Sequence, residues 1–268
     1  MIDIDRLSAS VPRDDGEYLA EDGLIHCRVC GEQRETVITI PWAGERKVRC
    51  ICSCRVKEKE AEKEREKQET RERNRRICFN GSNLGKKKFE NSEETEYIKI
   101  AKNYSNNFED FRRQGKGLIF YGTVGTGKSH LAACISNDII DKGFTALMTN
   151  FATIINVLQS SFEGRQKYIE SLNKYDLLVI DDLGAERQSE YMQEQVFNII
   201  DSRYRSGLPF IITTNLPPEE LKKTTDIGNG RIYDRILERC HPVAVQGQSY
   251  RRQKLKEDYK QMEMILKG

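Results

Sequence analysis

Gly122-Thr123-Val124-Gly125-Thr126-Gly127-Lys128-Ser129 follows the apolar run Gly117-Leu118-Ile119-Phe120-Tyr121 and leads into His130-Leu131-Ala132-Ala133. A strand, a glycine-rich turn and a helix in that order make a phosphate cradle. The glycines let the backbone curl so that its N–H groups point inward at a β-phosphate. The N-terminus of the following helix adds partial positive charge. Lys128 is expected to reach the β- and γ-phosphates, and the Ser129 hydroxyl to ligate Mg²⁺. Gly122 to Ser129, with His130 beside them, are therefore the expected ATP-binding stretch.

A second element belongs with the first. Asp176-Leu177-Leu178-Val179-Ile180-Asp181-Asp182 is a buried-strand run that ends in two carboxylates. In phosphate-loop enzymes the metal-coordinating acid sits at the carboxyl end of a core strand, beside the loop. Asp181 is expected to serve Mg²⁺ through water or Ser129, and Asp182 to orient and polarise the attacking water. Further on, Phe210-Ile211-Ile212-Thr213-Thr214-Asn215 reads as a strand with a polar end. Asn215 or Thr214 then becomes a candidate γ-phosphate sensor. The plainer reading is that Asn215 caps the turn before Pro217-Pro218.

Periodicity around these motifs predicts strands over residues 118–121, 145–149, 177–180, 210–213 and 243–245, and helices over 128–141 and 190–206. Further helical stretches run to about residue 173, and Met192, Val196, Ile199 and Ile200 make the buried face of the long helix. Strands alternating with helices imply an α/β fold, a mainly parallel sheet covered on both faces. Upstream, residues 55–76 are Lys, Arg and Glu with almost no apolar residue and no Gly or Pro. That composition, with opposite charges at Glu60/Lys63 and Glu69/Arg73, suits a solvated connecting helix. Its more basic end (Arg71, Arg73, Arg75, Arg76) is the part suited to nucleic acid or an acidic surface. The expected division is residues 1–54, a cysteine-rich module; 55–88, a charged helical linker; and 89–268, the ATPase domain.

The 268 residues carry 37% hydrophobic and 32% charged side chains and a formal charge of +2. So balanced a charge neither demands nor excludes nucleic acid; distribution decides. The first twenty residues lack the apolar segment of a signal peptide, and no run approaches the length of a membrane span. The expectation is a cytoplasmic protein without a membrane association. In that reducing setting, clustered thiols more often bind metal than form disulfides. Cys27-Arg28-Val29-Cys30 has the gap that lets two thiolates share one tetrahedral zinc. Cys50-Ile51-Cys52-Ser53-Cys54 offers three thiols for the two remaining positions, with Cys52 and Cys54 preferred and Cys50 as substitute. Between the halves, residues 36–40 suit a strand of a short hairpin. His26 is a bystander in this reading. Four thiolates leave no open position for a substrate, so the module is expected to bind protein rather than catalyse. Cys78, Cys134 and Cys240 stand alone and read as small buried side chains.

The motif order Gly-Thr-Val-Gly-Thr-Gly-Lys-Ser-His-Leu-Ala, Leu-Val-Ile-Asp-Asp-Leu-Gly-Ala-Glu, Ile-Thr-Thr-Asn-Leu, then Arg231-Ile232-Tyr233-Asp234-Arg235-Ile236-Leu237 and Ser249-Tyr250-Arg251 resembles the AAA+ ATPases of the DnaC/DnaI helicase-loader and IstB group. The likeness covers roughly residues 89–256. It implies an arginine finger at Arg235, with Arg231 as rival on the same helix face, and a second-sensor arginine at Arg251. It also implies that the cysteine-rich module and the charged helix belong to a loader that grips a replicative DnaB-type helicase. By the same resemblance the chain would bind single-stranded DNA and self-associate through its ATPase domains. Lys222, Lys223, Arg252 and Lys254 are the basic residues proposed for the DNA backbone. The group commonly has Glu after the metal-binding Asp, whereas this chain has Asp182, one methylene shorter; slow, partner-stimulated hydrolysis would follow. Two other functions use the same loop. An IstB-like accessory ATPase would serve a transposase, and a small-molecule kinase would phosphorylate a metabolite; the Thr-Thr-Asn strand end and the Arg-Ile-Tyr-Asp-Arg segment suit the kinase poorly.

Overall fold

A computed structural model describes residues 16–160, 164–184, 190–222 and 227–267. Lys223 lies outside the described residues, as do the side chains of Met192, Lys222, Arg231 and Lys254. The chain divides into two compact units, Met1–Thr70 and Arg71–Gly268.

The first unit contains two antiparallel hairpins. Strand β1 (Glu17–Leu19) pairs with β2 (Ile25–Cys27), and β3 (Glu35–Ile40) pairs with β4 (Gly44–Arg49). Helix α1 (Ser53–Phe79) starts in this unit and ends in the second. Its 27 residues bury only Cys78 and Phe79, both in the last turn. Near that end Arg75 pairs with Asp141 and donates to Asn137 Oδ1, and much of the rest is held by helix propensity and by exposed pairs such as Arg55–Glu58 and Arg65–Glu69. Each such pair contributes about 0.3–0.5 kcal/mol.

In the second unit helices α2 (Glu96–Asn106) and α3 (Phe108–Gln114) lead into a five-stranded, all-parallel sheet. Its strands are β5 (Gly117–Tyr121), β6 (Ala146–Asn150), β7 (Leu177–Leu183), β8 (Phe210–Thr214) and β9 (Cys240–Ala244), in the spatial order β6-β7-β8-β5-β9. The connections contain α4 (Lys128–Asp141), α5 (Phe151–Ser160), α6 (Arg165–Leu172), α7 (Glu190–Ser206), α8 (Pro218–Lys222) and α9 (Ile227–Arg239), and α10 (Tyr250–Lys267) closes the chain.

Strand side chains alternate between faces, so each apolar run serves two cores. Leu118, Phe120, Leu177, Val179 and Ile211 pack with Ile98, Ala101, Leu131, Ile135 and Ile139 on one side. Ile119, Leu178, Ile180, Phe210 and Ile212 pack with Phe151, Ile154, Leu158, Ile199 and Ile236 on the other. Helices on both faces explain why these strands read as unbroken apolar runs. Cys78, Cys134 and Cys240 are buried. The last strand begins three residues before the position expected from the sequence and includes Pro242. Because β9 is an edge strand bonded only to β5, a missing N–H on its open side costs little. Arg203, fully buried at the end of α7, spends its donors on the carbonyls of Leu172, Asp176 and Pro209.

Candidate nucleotide site and thiolate cluster

The strand order sets the chemistry. The loop leaves β5, the two acids end β7, and β8 runs between them, so its carboxyl end bridges loop and acids. Within the loop, Gly122 (φ 141°) passes the segment after β9 so closely that a Cβ there would lie 2.3 Å from the Val245 carbonyl oxygen. A Cβ on Gly125 (φ 85°) would lie 2.1 Å from Ser249 Oγ. Only glycine fits at either point. The approach is fixed by backbone bonds: Val245 N–H donates to Tyr121 O at 2.8 Å, and Tyr250 N–H to Gly125 O at 3.0 Å. Arg251 is thereby carried alongside Gly125.

Lys128 is buried on the first turn of α4, its ammonium donating to the carbonyls of Gly122 and Thr123 at 2.8 Å each. Burial lowers its pKa and the nearby charge of Arg251 works the same way, while Asp182 and Asp181 oppose them. A single lysine thus senses both acids and Arg251. Thr126 Oγ1 donates to Thr123 O at 2.9 Å and stiffens the loop. Ser129, next along the helix, offers a hydroxyl and Asp181 a carboxylate, the type of oxygen donor that Mg²⁺ prefers.

The acids sit where β7 departs from regular pairing. The register with β8 shifts between Ile180 and Leu183, and Asp182 adopts φ +61°. Such an irregularity re-aims side chains at a sheet end. One buried hydroxyl organises both acids: Thr213 Oγ1 donates to Asp181 Oδ1 at 2.6 Å and accepts from the Asp182 N–H at 2.8 Å. Asn215 Nδ2 donates to Asp182 Oδ1 at 3.3 Å, which places the sensor candidate against the water-activating candidate. Thr214 is spent otherwise, donating to Leu183 O and accepting from the Leu216 N–H. Thr213, unremarked in the sequence, is the organising residue. Replacing it by Val should lower kcat for ATP about tenfold and leave ATP affinity nearly unchanged, since the lost contact orients the acids rather than holding phosphate. Steady-state hydrolysis beside a nucleotide titration checks this, and an unaltered kcat would reject it.

Beside the loop lies a cavity of about 590 Å³ lined by residues including Asn91, Ser92, Tyr97, Leu131, Val245 and Tyr250. Its size and mixed lining suit a nucleoside. His130 stands in its wall. Ser92 Oγ donates to Lys88 O, so its lone pairs accept from His130 Nε2–H at 2.7 Å. Burial and the nearby charge of Lys87 hold the His130 pKa below its ordinary value, keeping the ring neutral. The segment from Lys87 to Tyr97 that forms this wall carried no motif in the sequence.

Arg235 stands apart, on α9 against α7. It is ion-paired with Asp201, and its guanidinium carbon lies 4.8 Å from the Phe197 ring centroid and 5.6 Å from that of Tyr204.

In the first unit the Sγ atoms of Cys27, Cys30, Cys52 and Cys54 all lie within 4.8 Å of one another. Tetrahedral Zn²⁺ with sulfur ligands at ~2.3 Å sets thiolates about 3.8 Å apart, so the cluster matches such an ion. The Cys27–Gly31 turn closes with Gly31 N–H on Cys27 O, and the N–H groups of Cys30 and Val29 lower the Cys27 thiol to about 6. Cys50 points elsewhere, donating to Gln33 O at 3.2 Å, and burial raises its pKa. His26 is engaged with Asp22 and the Gly31 carbonyl. Glu32 accepts both the N–H and the hydroxyl of Ser53, tying the start of α1 to the turn that carries Cys30.

The sheet with its glycine-rich loop is that of an AAA+ P-loop ATPase domain, and comparison with known proteins agrees. The chain is 33% identical over 132 residues to the replicative helicase loader DnaC of Escherichia coli strain K12, covering 48% of this chain and 53% of that protein. It is 25% identical over 150 residues to the replicative helicase loader DnaI of Bacillus subtilis strain 168, covering 52% and 48%. The chain thus spans about half the length of the curated relatives it matches. A crystal structure of the DnaC helicase loader superposes with a TM-score of 0.54 at 24% identity, over 62% of this chain and all of that one, a likeness of fold. The model of the family described as IstB-like ATP binding protein matches residues 56–258, well over half the chain. The chain belongs to the family of IstB-like ATP-binding proteins.

Proposed function

We propose that this protein is an ATP-dependent loader of a replicative DnaB-type helicase. The observations that carry the reading are a glycine-rich phosphate loop with Asp181, Asp182 and Asn215 gathered at the neighbouring strand ends in one unit and four clustered cysteine thiols in the other, in a chain similar to two helicase loaders. In this reading ATP lies with its base in the cavity beside Tyr250 and its phosphates on Gly122 to Ser129. Ser129 and Asp181 hold Mg²⁺, which supplies charge neutralisation at the phosphates. Asp182 orients the attacking water, Asn215 fixes Asp182, and Arg251 adds positive charge beside the loop. Arg235 acts as the arginine finger on a nucleotide held by a neighbouring copy. Asp182 is a short carboxylate in left-handed backbone, so turnover is slow until a partner or single-stranded DNA adjusts it. Cys27, Cys30, Cys52 and Cys54 hold one Zn²⁺, and the module so folded grips the helicase. No helix among the described residues is long and apolar enough to cross a membrane, in keeping with work in the cytoplasm.

Native mass spectrometry of the full chain with the replicative helicase of its source organism tests this. A defined complex that responds to ATP and disappears when Cys27 and Cys30 are both changed to Ser is the expected result. Absence of a complex under every nucleotide condition would reject the loader reading. The family's IstB-like description favours service to a transposase as the second reading, and a transposase would then be the next partner tried.

A further inference from the structure

We propose that Asp201 is a positioning residue for Arg235, holding the guanidinium in the pose from which it is offered to a nucleotide bound by a neighbouring copy of this chain. The proposal rests on the arginine-finger reading of Arg235. Phe197, Asp201 and Tyr204 lie at i, i+4 and i+7 on one face of α7, the face that α9 packs against. Together they enclose the guanidinium. Asp201 pairs with one of its nitrogens, and the two aromatic rings stand at 4.8 and 5.6 Å. Each part of the enclosure is itself secured. The second Asp201 oxygen is paired with Arg205 at 3.0 Å. The Tyr204 hydroxyl donates to the Glu238 carboxylate, and Arg239 lies over its ring at 4.7 Å.

Two features separate this arrangement from an ordinary structural arginine. Arg203, in the same layer, is fully buried with its donors spent on backbone carbonyls. Arg235 keeps 30% of its side chain exposed. Asp201 is shared by two arginines, so the cluster of Asp201, Arg205 and Arg235 retains net positive charge. A long flexible side chain held at one angle with its charge intact is what in-line phosphoryl transfer asks of a group acting from outside the pocket.

Mixing variants of the full chain tests this. Asp182→Asn copies have an impaired pocket and an intact Arg235. Arg235→Ala is expected to lose turnover by about 10³-fold or more, and Asp201→Asn about 10- to 100-fold in kcat with ATP affinity unchanged. Each, mixed with Asp182→Asn copies, should hydrolyse ATP faster than the sum of the two alone, because one copy supplies the pocket and the other the arginine. A defect confined to folding or to the copy's own pocket would not be rescued in that way. Phe197→Leu, which keeps the carboxylate and removes one ring, should show a smaller loss with the same rescue, and serves if Asp201→Asn does not fold. If Arg235→Ala retains turnover or is not rescued, the finger reading falls and takes the proposal with it. If Arg235→Ala behaves as expected while Asp201→Asn and Phe197→Leu are silent or unrescued, only the positioning role is overturned.

Discussion

Changing Lys128 to Ala abolishes ATP turnover and leaves the melting temperature unchanged or slightly higher. The two halves of this expectation have one cause. The ammonium sits buried between the loop carbonyls of Gly122 and Thr123, facing the charges of Asp181 and Asp182. Burial dominates and lowers its pKa. Folding disfavours the charged form of a lysine whose folded pKa lies below its unfolded value, and that cost is fully present below the folded pKa, so near neutral pH its charge counts against stability. Removing it therefore relieves a cost in the folded state. In the proposed reaction the same charge is indispensable, because it would turn from those carbonyls to the phosphates, where negative charge develops. Loss of one preorganised donor of that kind costs about 10²–10³-fold in kcat, and weaker nucleotide binding adds to it. Hydrolysis assays beside thermal melts with and without ATP read both halves. Retained turnover would exclude the phosphate loop as the reaction site; a collapsed melting temperature would mean that Lys128 serves the fold.

How much of this site the sequence discloses depends on how local each feature is. The phosphate loop is contiguous, and its glycines, lysine and serine are legible from spacing because each acts through backbone geometry next to itself. The acids of β7 are legible for a similar reason, since an apolar run that ends in carboxylates marks the end of a core strand. What stays hidden depends on phase or on distant partners. At the end of β8, nothing in the sequence tells which of Thr213, Thr214 and Asn215 turns toward the acids, and the sequence reading favours Asn215 or Thr214. The register shift opposite Asp181 and Asp182 decides that Thr213 meets the acids and Thr214 turns back to Leu183. The nucleoside cavity draws on residues from Lys87 to Tyr97 and from Val245 to Arg251, far apart in the chain and without periodicity. Pro242 disguised the last strand, because only the sheet order reveals that its open side needs no donor. The enclosure of Arg235 by Phe197, Asp201 and Tyr204 required knowing which helix packs on which.

Stripping zinc is expected to unfold the first unit while ATP turnover by the second survives. Among the described residues up to Cys54, the buried apolar side chains are Cys27, Ile40 and Cys52. One isoleucine and two thiols cannot offset the conformational entropy of some forty ordered residues, at about 1–2 kcal/mol each for the backbone alone. Polar contacts help locally: Glu17 pairs with both Arg34 and Arg49, and Glu32 clamps Ser53. They presuppose the fold and do not create it. Zinc on four thiolates supplies about 10–16 kcal/mol in small modules of this type, enough to decide the balance. The ATPase unit has its own two-sided core and no need of that contribution. Amide hydrogen exchange on the full chain gives the test. A thiol-competing chelator should remove protection from residues 25–54, added zinc should restore it, and the strands of the parallel sheet should stay protected throughout. Cys54→Ser should reproduce the loss without chelator, while Cys50→Ser should not, since Cys50 is turned toward Gln33. Undiminished protection in protein shown to be metal-free would mean that the four thiols pack as neutral side chains, and that the proposed binding of a helicase must rest on some other part of the chain.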